Sequence, residues 1–154
     1  MPTAEITTIA DAVVSEIGNG AIPSVEYGVT RIYVPAFKLE ELGTAFTVVV
    51  AGLGIGINHD DSIRSADLHT YQIRIAIYKK IGREDGDIIT TEVDDALYFV
   101  EQVLDLIRSK KTLTDYPAAR LAEPILNEPV YDVERLMTDG IFYSVITVNY
   151  RLLR

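Results

Sequence analysis

The stretch Tyr71-Gln-Ile-Arg-Ile-Ala-Ile-Tyr-Lys-Lys80 decides how the chain folds. Tyr71, Ile73, Ile75 and Ile77 recur at a period of two, with Gln72, Arg74 and Lys80 on the alternate positions. That pattern predicts a strand with one apolar face and one wet face. A sheet dry on one side only is characteristically antiparallel, because parallel sheets are covered on both sides. Further along, the period changes to that of a helix. Thr90 or Thr91 is placed to cap it, and Glu92, Asp94 and Asp95 fill the first turn. Val93, Ala96, Leu97, Val100, Val103, Leu104 and Ile107 form the stripe, and Arg108, Lys110 and Lys111 close the helix. Acid at the start and base at the end complement the helix dipole, each by about 0.3–1 kcal/mol. This accounts for the basic cluster without a phosphate site.

Beyond that helix, Thr114 to Asp132 contains Pro117, Pro124 and Pro129, which predicts an irregular, partly extended segment. Long structureless segments are uncommon inside compact domains and often serve as binding arms. A long strand then covers Ile141 to Leu152. Phe142, Ile146, Val148, Tyr150 and Leu152 share one face with Ser144, and Tyr143, Val145, Thr147, Asn149 and Arg151 share the other. Such a strand is expected to pair inside the sheet, since a long open edge invites aggregation.

On the other side of Tyr71 lie further strands. Phe46 to Val50 is a continuous apolar run, as in a strand covered on both faces, and Arg31 to Pro35 is a short β-branched one. The polar stretch Asn58 to His69 reads as a loop. At the start, Ile6, Ile9, Ala10, Val13, Val14 and Ile17 form a helical stripe, with Thr3 as N-cap and Glu5 in the first turn. Gly18-Asn19-Gly20 offers residues that tolerate positive φ at its end, and Pro23 bars continuation. The expectation is one α+β domain over residues 1–154: a mainly antiparallel sheet packed by two amphipathic helices, with a proline-rich arm at 114–132.

A length of 154 residues suits one domain able to bury roughly 70% of its unfolded surface. With no cysteine, disulfides, thiol chemistry and Cys-ligated zinc or iron–sulfur sites are excluded, which fits a reducing cytoplasm. No basic-then-apolar signal segment opens the chain. The apolar stretch Ala45–Ile57 is broken by glycines and too short to span a bilayer, so a soluble protein without a membrane partner is expected. The net charge of −9 argues against tight nucleic-acid binding.

Motifs that invite a chemical reading have simpler explanations. Gly52-Leu-Gly-Ile-Gly56 follows an apolar strand, but neither G-x-G-x-x-G spacing nor a Walker lysine is present, and a flexible strand end entering a loop is expected. His59, Asp60, Asp61 and His69 share the predicted loop, with the histidines ten residues apart rather than four, and read as solvated polar residues. Neither His has a Ser or acid at a triad-like spacing. Asp94-Asp95 and Glu84-Asp85 are adjacent acids, which point in different directions rather than across a cleft. The first pair reads as dipole partners and the second as a turn with Gly86. No catalytic, cofactor-binding or metal-ligating residue is therefore expected, and no enzymatic activity. Nine tyrosines lean toward protein interfaces.

Four stretches carry a family resemblance: Arg31-Ile-Tyr-Val-Pro-Ala-Phe-Lys-Leu-Glu-Glu-Leu42, Thr70 to Lys80, Val93-Asp-Asp-Ala-Leu-Tyr-Phe-Val-Glu-Gln-Val-Leu-Asp105, and Val130-Tyr-Asp-Val-Glu-Arg-Leu-Met137 leading into Phe142 to Arg151. With the order of the elements, they resemble the tail-terminator and tail-completion (neck) proteins of tailed bacteriophages. The resemblance implies a structural virion protein assembled in the host cytoplasm. It forms a homo-oligomeric ring, commonly a hexamer, that caps the tail tube and joins it to the head connector, while DNA passes through the lumen without specific binding. It implies no cofactor and no active site. Under that reading the 114–132 arm reaches a neighbouring subunit and the 58–69 loop contacts the next ring. The alternatives are another head–tail connector, adaptor or stopper, and a small-ligand-binding domain using the glycine-rich stretch; a hydrolytic enzyme comes last.

Overall fold

In the computed structural model, which describes residues 2–20, 22, 25–33, 43, 45–63 and 66–154, two helices cover one face of a five-stranded sheet. The elements follow in the order α1 (Glu5–Asn19), β1 (Tyr27–Arg31), β2 (Phe46–Ile63), β3 (Ala66–Lys80), β4 (Arg83–Glu84), β5 (Asp87–Ile88), α2 (Thr90–Ser109), β6 (Arg120–Asn127), α3 (Val133–Asp139) and β7 (Ile141–Leu153). The sheet order is β1-β2-β3-β7-β6, and only the β1–β2 pair is parallel. The α+β class with a mainly antiparallel sheet is therefore the observed one.

The helix side holds the main core. Ile73, Ile75 and Ile77 of β3 are fully buried, as are Phe142, Ile146 and Val148 of β7. Phe99 of α2 stacks on Phe46 of β2 at 4.2 Å between ring centroids and meets Tyr27 of β1 at 5.4 Å. Ser144, a polar residue in the apolar row of β7, is wholly buried, and Asn127 of β6 donates to its hydroxyl at 3.0 Å and to the Val145 carbonyl at 2.8 Å. The bond answers the burial cost that an unpaired hydroxyl would carry.

The outer face of the sheet changes character along its length. At the Lys80 end it is closed: Val49, Ala76, Tyr78 and Ile141 form a second buried cluster beside Ile32 and Tyr143. The alternation in β3 therefore does not leave a uniformly wet face. Burial, together with the Tyr143 ring 4.7 Å away, pushes the Tyr78 phenol up to about 12. An unfolded tyrosine ionises near pH 10, so the stabilisation from keeping this phenol neutral is complete below that pH. It is lost as pH rises from about 10 to 12. Urea midpoints are expected to stay level up to about pH 9.5 and then fall, and Tyr78→Phe should flatten part of the fall. An identical slope in the variant would refute the assignment.

Several local expectations are corrected. Within the predicted loop Asn58–His69, residues 58–63 and 66–69 instead belong to the two strands of a long β2–β3 hairpin, and Gly52–Gly56 lies within β2. Pairing between strands overrides the polar composition there: Ile57 pairs with His69, Asn58 with Leu68 and Ile63 with Ala66, with a register irregularity between Asn58 and Ile63. The N-cap of α1 is Ala4 rather than Thr3, and that of α2 is Ile89 rather than Thr90 or Thr91, neither with a side-chain cap. In α2, Glu92 reaches back to accept from the Gly82 amide at 2.7 Å, fixing the helix to the end of β3. Gly20 ends α1 with right-handed φ of −67°, not positive φ. Its role is room, since a Cβ there would collide with Leu106 of α2.

Within the predicted irregular segment, Arg120–Asn127 forms the edge strand β6, with a register shift between Ala122 and Leu126 around Pro124. Proline has no N–H for a ladder, which suits an edge. The short strand is Tyr27–Arg31; Val34 and Pro35 lie outside the described residues. The helix α3 was not anticipated. Asp132 caps it by accepting from the Arg135 amide at 3.1 Å, and Gly140 ends it at φ 66°.

Candidate functional site

The hairpin is the first surface that the core does not explain. Leu53 is the extra residue of a bulge between Gly52 and Gly54. Past it, Ile55 pairs with Tyr71 and Ile57 with His69, which puts both isoleucines on the helix side of the sheet. Helix α1 begins too late to cover them. Its Ile6 already lies over Gly52, where a Cβ would come within 2.7 Å of the Ile6 side chain. Ile55 and Ile57 therefore run past the helix and are 55% and 54% exposed. Leu53 is exposed as well. The three glycines of the stretch serve this geometry: Gly52 lets the helix approach, and Gly54 and Gly56 leave the opposite face bare.

A second apolar surface gathers around α3, where Val130, Val133 and Met137 are exposed. The aliphatic Leu126 of β6 is half exposed too. The outer side of α2 is acidic instead. Asp94, Asp95 and Glu101 are exposed around Tyr98, whose side chain is 63% exposed. Asp94 and Asp95 stand on the helix as adjacent residues, not across a cleft. Opposite them, beyond the sheet, the outer face at the hairpin end carries Arg74, Arg120 and Arg151.

The residues weighed for chemistry are dispersed. The His69 ring lies 6.3 Å from that of Tyr71 on the same strand. His59, Asp60 and Asp61 belong to β2, and their side chains lie outside the described residues. Among the described residues, no group of three or more His, Asp or Glu converges as a metal site would require. Glu84 precedes Asp85 and Gly86, both with positive φ, in the tight turn between β4 and β5. Such left-handed pairs suit two-residue hairpin turns. One cleft of about 290 Å³ lies between α1 and the end of α2, where Glu16 accepts from the Thr114 amide beside Lys110 and Asp115. Tyr116 donates to Glu5 at 2.5 Å, and that bond displaces its phenol pKa upward. These contacts tie the segment after α2 to α1. No described helix is long and apolar enough to cross a membrane.

Sequence reasoning weighed Gly52–Gly56 and Asn58–His69 but as a strand end and a loop, and missed the exposure of Leu53, Ile55 and Ile57, because exposure depends on where α1 starts. The Arg74, Arg120 and Arg151 cluster was also missed; the three lie far apart in the chain and meet only through strand order.

No family model matches the chain, and no curated protein matches it in sequence. Among solved structures, the fold is similar to that of the sheath/tube terminator, in its extended state, of PVC, an extracellular contractile injection system. The TM-score is 0.51 at 12% identity, over 99% of this chain. This chain spans 58% of the length of that one. At that identity the likeness is one of fold.

Proposed function

We propose that this chain is a structural subunit of a phage-type tail. In this reading it is a bacteriophage tail terminator of the neck: it forms a ring, in the manner of a hexamer, at the head-proximal end of the tail tube. There it stops tube growth and meets the head connector. It is a virion component assembled in the host cytoplasm and carries out no catalysis. The observation that carries the reading is the β2–β3 hairpin, which projects Leu53, Ile55 and Ile57 beyond the part of the sheet that α1 covers. A folded chain gains nothing from displaying aliphatics unless another surface covers them. A hairpin that reaches past its own core suits contact between stacked rings. The fold shared with a sheath/tube terminator supports the same assignment.

The test is the solution mass by light scattering, with negative-stain imaging of the eluted species, alone and with the cognate tube protein. A closed ring with a central hole that stops tube extension is the expected result. A chain that stays monomeric in both conditions and leaves tube length unchanged would overturn the proposal.

A further inference from the structure

The outer face of the sheet at the hairpin end has an electrostatic character unlike the rest of this acidic molecule. Arg74 of β3 stands opposite Thr147 of β7, and Arg151 of β7 stands directly opposite Arg120 of β6. Gln72 and Asn149, paired with each other, fill the space between them. Arg120 and Arg151 are neighbours on adjacent strands, and Arg74 lies four residues along from the Arg151 pairing position, roughly 13 Å at about 3.3 Å per residue. No Asp or Glu occupies an outward-facing position of β3 or β7, and among the described residues none of the three arginines makes an ion pair. Two features make this arrangement unfavourable in an isolated subunit. Like charges directly opposite on neighbouring strands repel. The Arg74 Nε is buried without a hydrogen-bond partner, which costs free energy.

The complementary surface is on the same chain. Helix α2 turns Phe99, Val100 and Val103 toward the sheet, so Asp94, Asp95, Tyr98 and Glu101 face away from it. The arginine face and the acidic helix face thus point in opposite directions across a two-layer subunit. Two different, complementary patches on opposed sides are what a head-to-tail contact between identical chains requires, and such contacts close into rings where the rotation between neighbours closes.

We propose that the face bearing Arg74, Arg120 and Arg151 docks onto the acidic outer face of α2 in a second copy of this chain, with Tyr98 as the central anchor. Tyrosine and arginine are the residue types enriched at the energetic centres of such contacts. The proposal deepens the ring reading above and rests on it, by naming the surface through which neighbouring subunits meet. A polyanion is the rival occupant of an arginine face; the net charge of −9 disfavours its approach.

The cysteine-free sequence permits a direct test. Gln72→Cys and Thr91→Cys are prepared as separate proteins, mixed, and treated with a short bismaleimide. The expected product is the mixed adduct, formed more efficiently than either self-adduct. Adding Arg74→Glu and Arg151→Glu to the first protein should lower its yield by about tenfold or more, in line with the cost of like charges across an interface. Asp94→Lys and Glu101→Lys in the second protein should restore it. Self-adducts of Gln72→Cys alone, or no adduct while light scattering still shows a ring, would overturn this contact and leave the ring reading standing. No adduct from a protein that is also monomeric would overturn both. Arginine-dependent binding of a short labelled DNA duplex without the mixed adduct would assign the face to phosphates and overturn the proposal.

Discussion

Replacing Phe99 with alanine should lower the stability of the subunit by about 3–5 kcal/mol, the usual cost of truncating a fully buried aromatic ring. Phe99 is 0% exposed and sits where three elements meet: stacked on Phe46 of β2, tilted against Tyr27 of β1, and carried by α2. Removing the ring loses its transfer free energy and leaves a void that two rigid aromatic neighbours cannot fill by repacking. For a chain of this size the melting temperature should fall by on the order of 10 °C. Thr91→Ala, an exposed change on the same helix, should stay within about 0.5 kcal/mol. Differential scanning calorimetry of both variants checks the pair. Equal losses would mean that α2 does not pack on the sheet through the face described.

The second large effect concerns assembly. Ile55→Asp with Ile57→Asp should leave the subunit folded, with its melting temperature within a few degrees of the parent, because both side chains are already more than half in water. A carboxylate forced into an apolar contact without a partner costs several kcal/mol, so the contact that these residues make should disappear. If the hairpin seats the ring on the tube, the variant keeps its ring mass and loses control of tube length. Tube-length distributions by electron microscopy give the answer. Tubes capped as well as by the parent would show that the hairpin does not make this contact.

The sequence was most legible where a single periodicity met a single environment. The rows Tyr71–Ile77 and Phe142–Leu152 lie against the helices as their alternation requires, and the Val93–Ile107 stripe of α2 packs as expected. It was least legible where the environment changed along one element. In β3 the wet positions Gln72 and Arg74 continue into buried Ala76 and Tyr78, because a second cluster closes one end of the outer face. Gly52–Gly56 read as a flexible strand end and Asn58–His69 as a loop, because glycine and acid weaken both periodicities, yet cross-strand pairing extends β2 and β3 through both. Helix α3 did carry local signals, Asp132 three residues before Arg135 and Gly140 after Asp139, but at seven residues it was too short to show a stripe. The candidate surfaces were the least readable of all. An exposed isoleucine and a buried one are the same letter, and three arginines from three strands become neighbours only once strand order is known.

Strand order also sets a timetable. β7 follows β6 along the chain but lies between β3 and β6, so nothing joins β6 to the rest of the sheet until residues 141–153 have been made. At ribosomal speeds, the roughly seventy residues between the end of β3 and the end of β7 take on the order of 4–15 s to synthesise. Throughout that interval one edge of β3, with its row of Ile73, Ile75 and Ile77, has no strand beside it. Growth and ring closure become separate events, because the outer arginine face that spans β3, β7 and β6 does not exist until translation has passed its final strand.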